Sequence, residues 1–381
     1  MLEHGGRLLR AVRQYGIARE QWLDLSSGIA PWPFPIPPIP MEAWARLPET
    51  EDGLEDAARA YYGARQLLAV AGSQAAIQAL PLLRAAGRVG VLTPCYAEHP
   101  YAWQRAGHQL LELDEAQVEA TLDSLDVLVL VNPNNPTGRR VPRERLLDWH
   151  ARLAARGGWL LVDEAFMDNT PAQSVVDCAE RPGLIVLRSF GKFFGLAGVR
   201  LGFVAAERSL LLRLAELLGP WTVNGPTRVL AQASLADHAA QRVQVERCAA
   251  ASQRLAMLLR SAGLAPSGGC DLFQYVRSEH AAQLHDFLAR RGILVRLFEQ
   301  PSAVRLGCLP MRRTNSAWPK PWRPIRRKRH DHPHGARHHL RRRQEYAGDR
   351  TVPLAVAPGR RRGAVQAAEH GAEQRGDRRW R

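Results

Sequence analysis

The chain has 381 residues, of which 46% are hydrophobic, and a formal net charge of +15. This length allows a large domain and a smaller one, each with a buried core. No apolar run approaches the roughly 20 residues that a membrane span needs, and the first residues lack the apolar stretch of a secretory signal. The five cysteines are scattered, without the spacing of a zinc site or a disulfide framework. We therefore expect a cytoplasmic protein with no membrane partner and no metal.

The positive charge is concentrated at the C-terminus. Residues 311–381 contain 20 Lys and Arg against 6 Asp and Glu, so this segment holds +14 of the net charge. It is rich in Arg, His and Pro and has no hydrophobic periodicity, which predicts a disordered tail. A basic arm that binds nucleic acid is the alternative, but no aromatic or periodic pattern supports it. Nucleic acid is therefore not an expected partner.

The first part of the chain predicts short helices separated by loops. A helix is expected at 7–15, and the segment LDLSSGIAPWPFPIPPIP at 23–40 is a proline-dense loop that cannot be regular structure. A second helix is expected from Gly53 to about Tyr62. The segment AVAGSQAAIQALPLLRAAG at 69–87 then has the pattern of a strand tip, a glycine turn and a helix.

Short apolar runs alternate with helical segments through the middle of the chain. Five of these runs are rich in Leu and β-branched residues: VGVLTPCY (89–96), LDVLVLVNPNN (125–135), GWLLVDEAF (158–166), GLIVLRSF (183–190) and VRLGFVAA (199–206). Strands buried on both faces of a mainly parallel sheet have this composition, with helices as crossovers. The pattern predicts an α/β fold.

The remaining part of the chain predicts a second, smaller domain. Residues 205–262 are expected to be helical, and a helix ending near Arg291 is followed by two short strands, GILVR and SAVRLG. The predicted segments are an N-terminal arm with a small-domain segment at 1–45, a large domain at 46–245, a small α+β domain at 246–310 and the basic tail at 311–381.

Polar residues follow the predicted strands at the edge where ligands gather in α/β sheets. In LRSFGKFFGLAGVRLG, Ser189 and Lys192 leave a strand and Arg200 follows one short loop later. A lysine amine can condense with an aldehyde, whereas a serine hydroxyl and an arginine fork suit a phosphate monoester. The alternative is an ordinary basic surface loop.

Two further strand ends carry polar side chains. The carboxylate of Asp163, in VDEAF, could pair with a protonated pyridine nitrogen, an interaction worth ~4 kcal/mol at ~4 Å before desolvation costs. The turn NPNNPTG aims the amide of Asn135 into the crevice, where it could bond a phenolic oxygen. The alternatives are a helix N-cap aspartate and an ordinary Asn-Pro turn.

Two weaker signals complete the pattern. Ser73 and Gln74, in AGSQAA, lie at the start of a helix, where free backbone N–H groups favour a phosphate, although many helices start this way. Tyr96, in TPCYAEH, is placed to stack on a planar ring, although an aromatic residue there is more often part of the core. Because all five groups occur together at strand ends, we interpret them as one site.

Together these motifs resemble the fold-type I pyridoxal-phosphate enzymes of the aminotransferase superfamily, from HGG near residue 4 to VRLG near residue 307. The combination of NPNNPTG, VDEA and SxxK followed by GxR is specific to that superfamily. The resemblance implies a seven-stranded sheet with helices on both faces, pyridoxal 5'-phosphate as cofactor and a homodimer. It also implies that Lys192 binds the cofactor covalently. The other implied contacts are Asp163 with the ring nitrogen, Asn135 with the ring oxygen, Tyr96 with the ring face, and Ser73, Gln74, Ser189 and Arg200 with the phosphate.

Within the superfamily the chain most resembles decarboxylases of the cobalamin pathway, which act on a small phosphorylated amino acid. The features in common are His4-Gly5-Gly6, Phe166 in DEAF, PWTVN at 220–224, and the arginines Arg296 and Arg305. The resemblance implies that the substrate is bound by His4, Gly5, Gly28, Asn135, Arg296 and Arg305. An aminotransferase acting on histidinol phosphate is the alternative.

The chain departs from the family at three places. Gly28 stands where the family has a substrate-contacting asparagine, and Leu47 replaces a tyrosine that reaches the cofactor phosphate of the partner subunit. The family pattern also stops near Cys308, where the family continues with a final helix. We hypothesise that a frameshift replaced that helix, so an inactive or poorly folded copy is a further alternative.

Overall fold

The structure is a computed structural model that describes residues 2–310. Within these residues the strands are β1 (Leu23–Asp24), β2 (Leu68–Val70), β3 (Arg88–Leu92), β4 (Gln109–Leu113), β5 (Val127–Val131), β6 (Trp159–Asp163), β7 (Leu184–Ser189), β8 (Gly202–Ala205), β9 (Gly268–Cys270), β10 (Phe273–Arg277), β11 (Ile293–Leu294), β12 (Arg296–Phe298) and β13 (Ala303–Gly307). The α-helices are α1 (Leu8–Tyr15), α2 (Met41–Ala45), α3 (Leu54–Tyr62), α4 (Ser73–Ala79), α5 (Glu98–Arg105), α6 (Glu115–Thr121), α7 (Arg143–Ala154), α8 (Phe190–Phe193), α9 (Arg208–Leu218), α10 (Gly225–Ala236), α11 (His238–Ser261) and α12 (Ala281–Ala289). The predicted tail at 311–381, its disorder and the proposed frameshift lie outside the described residues.

A seven-stranded sheet forms the centre of the fold, in the order β2-β8-β7-β6-β5-β3-β4. Strands β4, β3, β5, β6 and β7 are mutually parallel, whereas β8 runs antiparallel to both β7 and β2. The prediction of an α/β fold with a mainly parallel sheet is therefore confirmed.

Both faces of the sheet are buried, as the continuous apolar runs predict. Successive side chains of a strand point to opposite faces. In β5, Val127 and Val129 belong to one apolar cluster, which includes Trp103 of α5. The alternate residue Leu128 belongs to a second cluster, which includes Trp149 of α7. Helices therefore cover both faces of the sheet.

A smaller part of the fold is built on a four-stranded antiparallel sheet, in the order β12-β13-β10-β9. Leu255 of α11 and Leu284 of α12 pack with Val304 of β13 in its core. The predicted proline-dense loop differs at its start, because residues 23–24 form β1, which pairs in parallel with β11. The domain boundaries given above remain predictions. Among the helices of residues 2–310, none is long and apolar enough to cross a membrane.

A buried ion pair joins the ends of β6 and β7, next to the strand-end residues of the predicted site. Arg188 Nη1 donates to Glu164 Oε2 at 2.8 Å, and both side chains are inaccessible or nearly so. The Arg188 guanidinium also lies 4.6 Å from the ring centre of Tyr62. Burial raises the pKa of Glu164, and the positive charge of Arg188 opposes that rise. The pair fixes the two strand ends relative to each other.

We expect Arg188→Met to lower the free energy of unfolding by about 3–5 kcal/mol, because it leaves the Glu164 carboxyl buried without its cation. Urea unfolding of the variant and the wild type measures this change. Arg152→Met is the matched control, since Arg152 pairs with Asp123 at the surface and such pairs contribute about 0–1 kcal/mol. Equal stability losses in the two variants would contradict the assigned role.

Candidate active site

A cavity of about 610 Å³ lies at the carboxyl ends of the parallel strands, where β5, β6 and β7 end at Val131, Asp163 and Ser189. Its walls bring together nearly every residue that the sequence singled out: His4, Gly5, Gly28, Ser73, Gln74, Tyr96, Asn135, Asp163, Ser189, Lys192, Arg200 and Arg305. Residues distant in the sequence therefore converge on one cavity.

Lys192 lies in the short helix α8, directly after β7, and is partly buried in the cavity wall. Burial lowers the pKa of its amine to about 8, with a further lowering by the charge of Arg305 and an opposing effect of Asp163. The Nζ atom lies 5.9 Å from the ring centre of Phe166. A larger fraction of this amine is unprotonated near neutral pH than in an ordinary lysine, which favours reaction with an aldehyde.

The scarcity of lysine in the sequence also distinguishes Lys192. The chain has three lysines against 49 arginines, and Lys192 alone falls within residues 1–310. The other two, Lys320 and Lys328, lie outside the described residues. The number of lysines therefore points to the same residue as the motifs do, without any knowledge of the fold.

Asp163 is held in place by a buried histidine. Its Oδ2 atom lies 2.9 Å from His99 Nε2, and its Oδ1 atom accepts from the backbone N–H of Ala165 at 3.0 Å. Asp163 is 3% exposed and His99 is fully buried. This partner could not be predicted from the sequence, because no pattern relates a histidine in the first turn of α5 to the distant strand β6.

Arg305 connects Asn135 to the N-terminal segment. Its Nη1 group donates to Asn135 Oδ1 at 2.6 Å, and its Nη2 group donates to the carbonyl oxygen of Ser26 at 2.9 Å. Burial lowers the pKa of Arg305 to about 10. Because Asn135 Oδ1 accepts from Arg305, the amide Nδ2 group remains available to donate to a ligand in the cavity.

A second group of residues forms a cradle at the start of α4. The Arg200 guanidinium lies so close to Gly72 that a Cβ atom there would come within 2.8 Å of Arg200 Nη2. A Cβ atom at Gly202 would collide with the backbone nitrogen of Ser73. Arg200 itself has a φ of 56°, in the left-handed region that non-glycine residues seldom adopt. The two glycines therefore allow the guanidinium and backbone N–H groups to converge.

These groups could hold the cofactor that the family resemblance implies. The amine of Lys192 matches its aldehyde, the carboxylate of Asp163 its ring nitrogen, and the available Nδ2 group of Asn135 its ring oxygen. The cradle of Ser73 and Arg200 offers donors of the kind that a phosphate needs. The donor set, and the close approach of these donors that the glycines allow, both fit pyridoxal 5'-phosphate.

Two predicted substrate residues have surroundings that the sequence did not indicate. A Cβ atom at Gly28 would come within 2.9 Å of Phe166 Cε1, so an asparagine at this position would collide with the phenyl ring. Arg296 lines an adjoining cavity of about 560 Å³, where its Nη2 group donates to the carbonyl oxygen of Glu3 at 2.6 Å. The two cavities share His4 and Gly5, and the role of Arg296 remains a prediction.

Comparison with known proteins identifies relatives of this chain. Residues 41–315 match the family model "Aminotransferase class I and II". The chain is 65% identical over 307 residues to a threonine-phosphate decarboxylase of Pseudomonas aeruginosa, which covers 81% of this chain and 93% of that one. It is 42% identical over 316 residues to a threonine-phosphate decarboxylase of a Sinorhizobium species, with the same coverage. A solved structure of histidinol-phosphate aminotransferase from Sinorhizobium meliloti, in complex with pyridoxal-5'-phosphate, has a TM-score of 0.69 at 20% identity and covers 81% of this chain and 91% of that chain.

We expect acylation of Lys192 in the cofactor-free protein to rise with pH through a midpoint near 8, not near the ordinary 10.5, because only the unprotonated amine reacts. Mass spectrometry of the peptide that contains Lys192, after brief treatment with acetic anhydride, measures the rate. Arg305→Gln removes a nearby positive charge and should move the midpoint upward, whereas the distant Arg84→Gln should leave it unchanged. A wild-type midpoint above pH 10 would contradict the prediction.

Proposed function

The chain belongs to the aminotransferase class I and II family, and on that premise we propose that it decarboxylates L-threonine O-3-phosphate with pyridoxal 5'-phosphate as cofactor. The product is (R)-1-aminopropan-2-yl phosphate, for cobalamin biosynthesis. The proposed substrate and reaction rest on the identity of 65% to a threonine-phosphate decarboxylase, over 93% of that protein. Aminotransfer to or from histidinol phosphate is less favoured, because the relatives at 65% and 42% identity, each aligned over 81% of this chain, are threonine-phosphate decarboxylases.

The cofactor, when bound, accepts the electrons of the bond that breaks at the substrate Cα atom. The protein determines which bond that is. Arg305, His4 and Gly5 line the cavity together with Lys192, and they can bind the two anionic ends of the substrate. Binding at two fixed points would fix the orientation of the substrate about Cα, and that orientation would select loss of CO2 over loss of a proton.

Three other residues complete the chemistry. Asp163, fixed by His99 and by the backbone N–H of Ala165, would hold its carboxyl group for the ring nitrogen of the bound cofactor. Asn135, held by Arg305, has its Nδ2 group available and would donate it to the ring oxygen of the bound cofactor. Lys192 Nζ, with a pKa of about 8, can return a proton to Cα after CO2 has left, because its pKa is close to the working pH.

The reaction is tested by incubating the holoenzyme with threonine phosphate and measuring released CO2. We expect one CO2 for each substrate molecule consumed, without any added keto acid. Lys192→Ala should lower the rate by at least about 100-fold, since it removes both the attachment of the cofactor and the proton donor. Turnover of histidinol phosphate that depends on a keto acid, with no CO2 from threonine phosphate, would favour the aminotransferase. Inactivity toward both substrates would favour the inactive copy.

We also propose that the protein is a homodimer in the cytoplasm. Apolar side chains are exposed on and after α2, where Trp44 is 63% and Leu47 is 64% exposed, and Trp221, before α10, is 59% exposed. The two segments adjoin, because Gly225 at the start of α10 packs against Ala43. A patch of this kind on a water-soluble protein is typical of an interface. The five cysteines are all free, which suits a reducing compartment.

We expect Trp44→Glu to convert the dimer into a monomer, because it places a charge in the buried centre of the interface. Light scattering coupled to size-exclusion chromatography gives the molar mass directly. Leu212→Glu is the matched control, since Leu212 is equally exposed, at 61%, but lies on α9. The interface is wrongly assigned if the Trp44 variant keeps the mass of a dimer or if the wild type is already a monomer.

A further inference from the structure

Glu98 is a carboxylate in the cavity wall to which the mechanism above assigns no role. It is the first residue of α5 and lies two positions after Tyr96. Its side chain is 13% exposed, and it lines the same cavity as Lys192 and Arg305. A carboxylate in a cavity that takes a phosphorylated amino acid repels the substrate unless its charge is directed elsewhere.

Both oxygens of Glu98 are engaged by side chains of other segments. Oε1 lies 2.7 Å from His4 Nε2. Oε2 accepts from Gln74 Nε2 at 2.9 Å and from Gln78 Nε2 at 3.0 Å. Tyr96 adds to the same network, because its hydroxyl donates to Gln74 Oε1 at 3.2 Å. The charge of Glu98 is therefore directed at donors in the wall of the cavity.

The contact with His4 has the largest effect on the cavity. His4 precedes α1, and 36% of its side chain remains exposed, so other contacts restrict it little. The following backbone is fixed, since Gly6 N–H donates to Ser26 Oγ at 2.7 Å. The contact of Nε2 with Glu98 restricts the orientation of the imidazole, and the Nδ1 edge is the part left for a ligand. Restricting a side chain before binding reduces the entropy that binding must overcome.

We propose that Glu98 is a positioning residue, which holds the His4 imidazole so that its Nδ1 edge binds the phosphate of the substrate. This inference rests on the proposed function, because it takes the phosphorylated amino acid as the ligand. Glu98 does not touch the reacting atoms, so its effect appears in binding and depends on the phosphate.

The test measures the initial binding of O-phospho-L-threonine to the holoenzyme by stopped-flow absorbance, before the substrate is consumed, and measures release of CO2 separately. We expect Glu98→Ala to raise the Kd for O-phospho-L-threonine about tenfold, which corresponds to about 1.4 kcal/mol. The Kd for L-threonine, which has no phosphate, should stay within about twofold of the wild-type value. Glu98→Gln keeps one acceptor oxygen for the donors of His4, Gln74 and Gln78, so it should recover only part of the affinity. Glu144→Ala, at an exposed glutamate of α7, is the matched control.

A double-mutant cycle separates positioning from a general effect on the fold. His4→Ala should weaken binding about as much as Glu98→Ala, and the double variant should be no weaker than either one alone. Additive losses, equal losses for both ligands, or unchanged affinity in Glu98→Ala would each overturn the inference, as would a wild type that does not bind O-phospho-L-threonine. A wild type that binds this ligand, shows the expected cycle and releases no CO2 would overturn the proposed reaction and leave the role of Glu98 standing.

Discussion

The arrangement of the cavity depends on the Arg305 guanidinium, which joins three distant parts of the chain. Arg305 lies in β13 of the smaller sheet, Asn135 in the loop after β5 of the central sheet, and Ser26 in the segment between β1 and α2. A buried cation requires acceptors, and these two satisfy two of its donor groups. Burial is the main cause of the low pKa of Lys192, and the charge of Arg305 lowers that pKa further. One side chain therefore affects both the geometry of the cavity and the protonation of its amine.

Much of this site could be predicted from the sequence, because its main residues lie in local patterns. Asn135, Asp163 and Lys192 follow continuous apolar runs, and runs of this kind form parallel strands whose ends meet at one edge. The helices at 7–15 and from Gly53 to Tyr62 were also predictable within a residue or two. Strand β4 was not predicted. It lies at the edge of the sheet, where its residues are mostly exposed or half-buried, so its sequence lacks the apolar run of its neighbours.

Local sequence patterns could not predict which residues contact the site residues. His99 and Glu98 are adjacent in the first turn of α5, yet one contacts Asp163 and the other contacts His4. Each of these contacts joins residues more than 60 positions apart, and no periodicity encodes them. The same applies to Gly28, whose lack of a side chain leaves room for Phe166. The sequence motifs indicate which side chains contact the ligand. The hydrogen-bond and packing partners of those side chains depend on the tertiary fold.

The scarcity of lysine limits the number of side-chain amines with which aldehydes can react. Pyridoxal phosphate and reactive carbonyl metabolites attach to surface lysines of most proteins, which blurs any measurement of cofactor stoichiometry. Over residues 1–310 this chain offers them a single side-chain amine, in the wall of a cavity. Cofactor fixed to this part of the chain by borohydride therefore reports occupancy of the active site, with the terminal amine as the sole competitor.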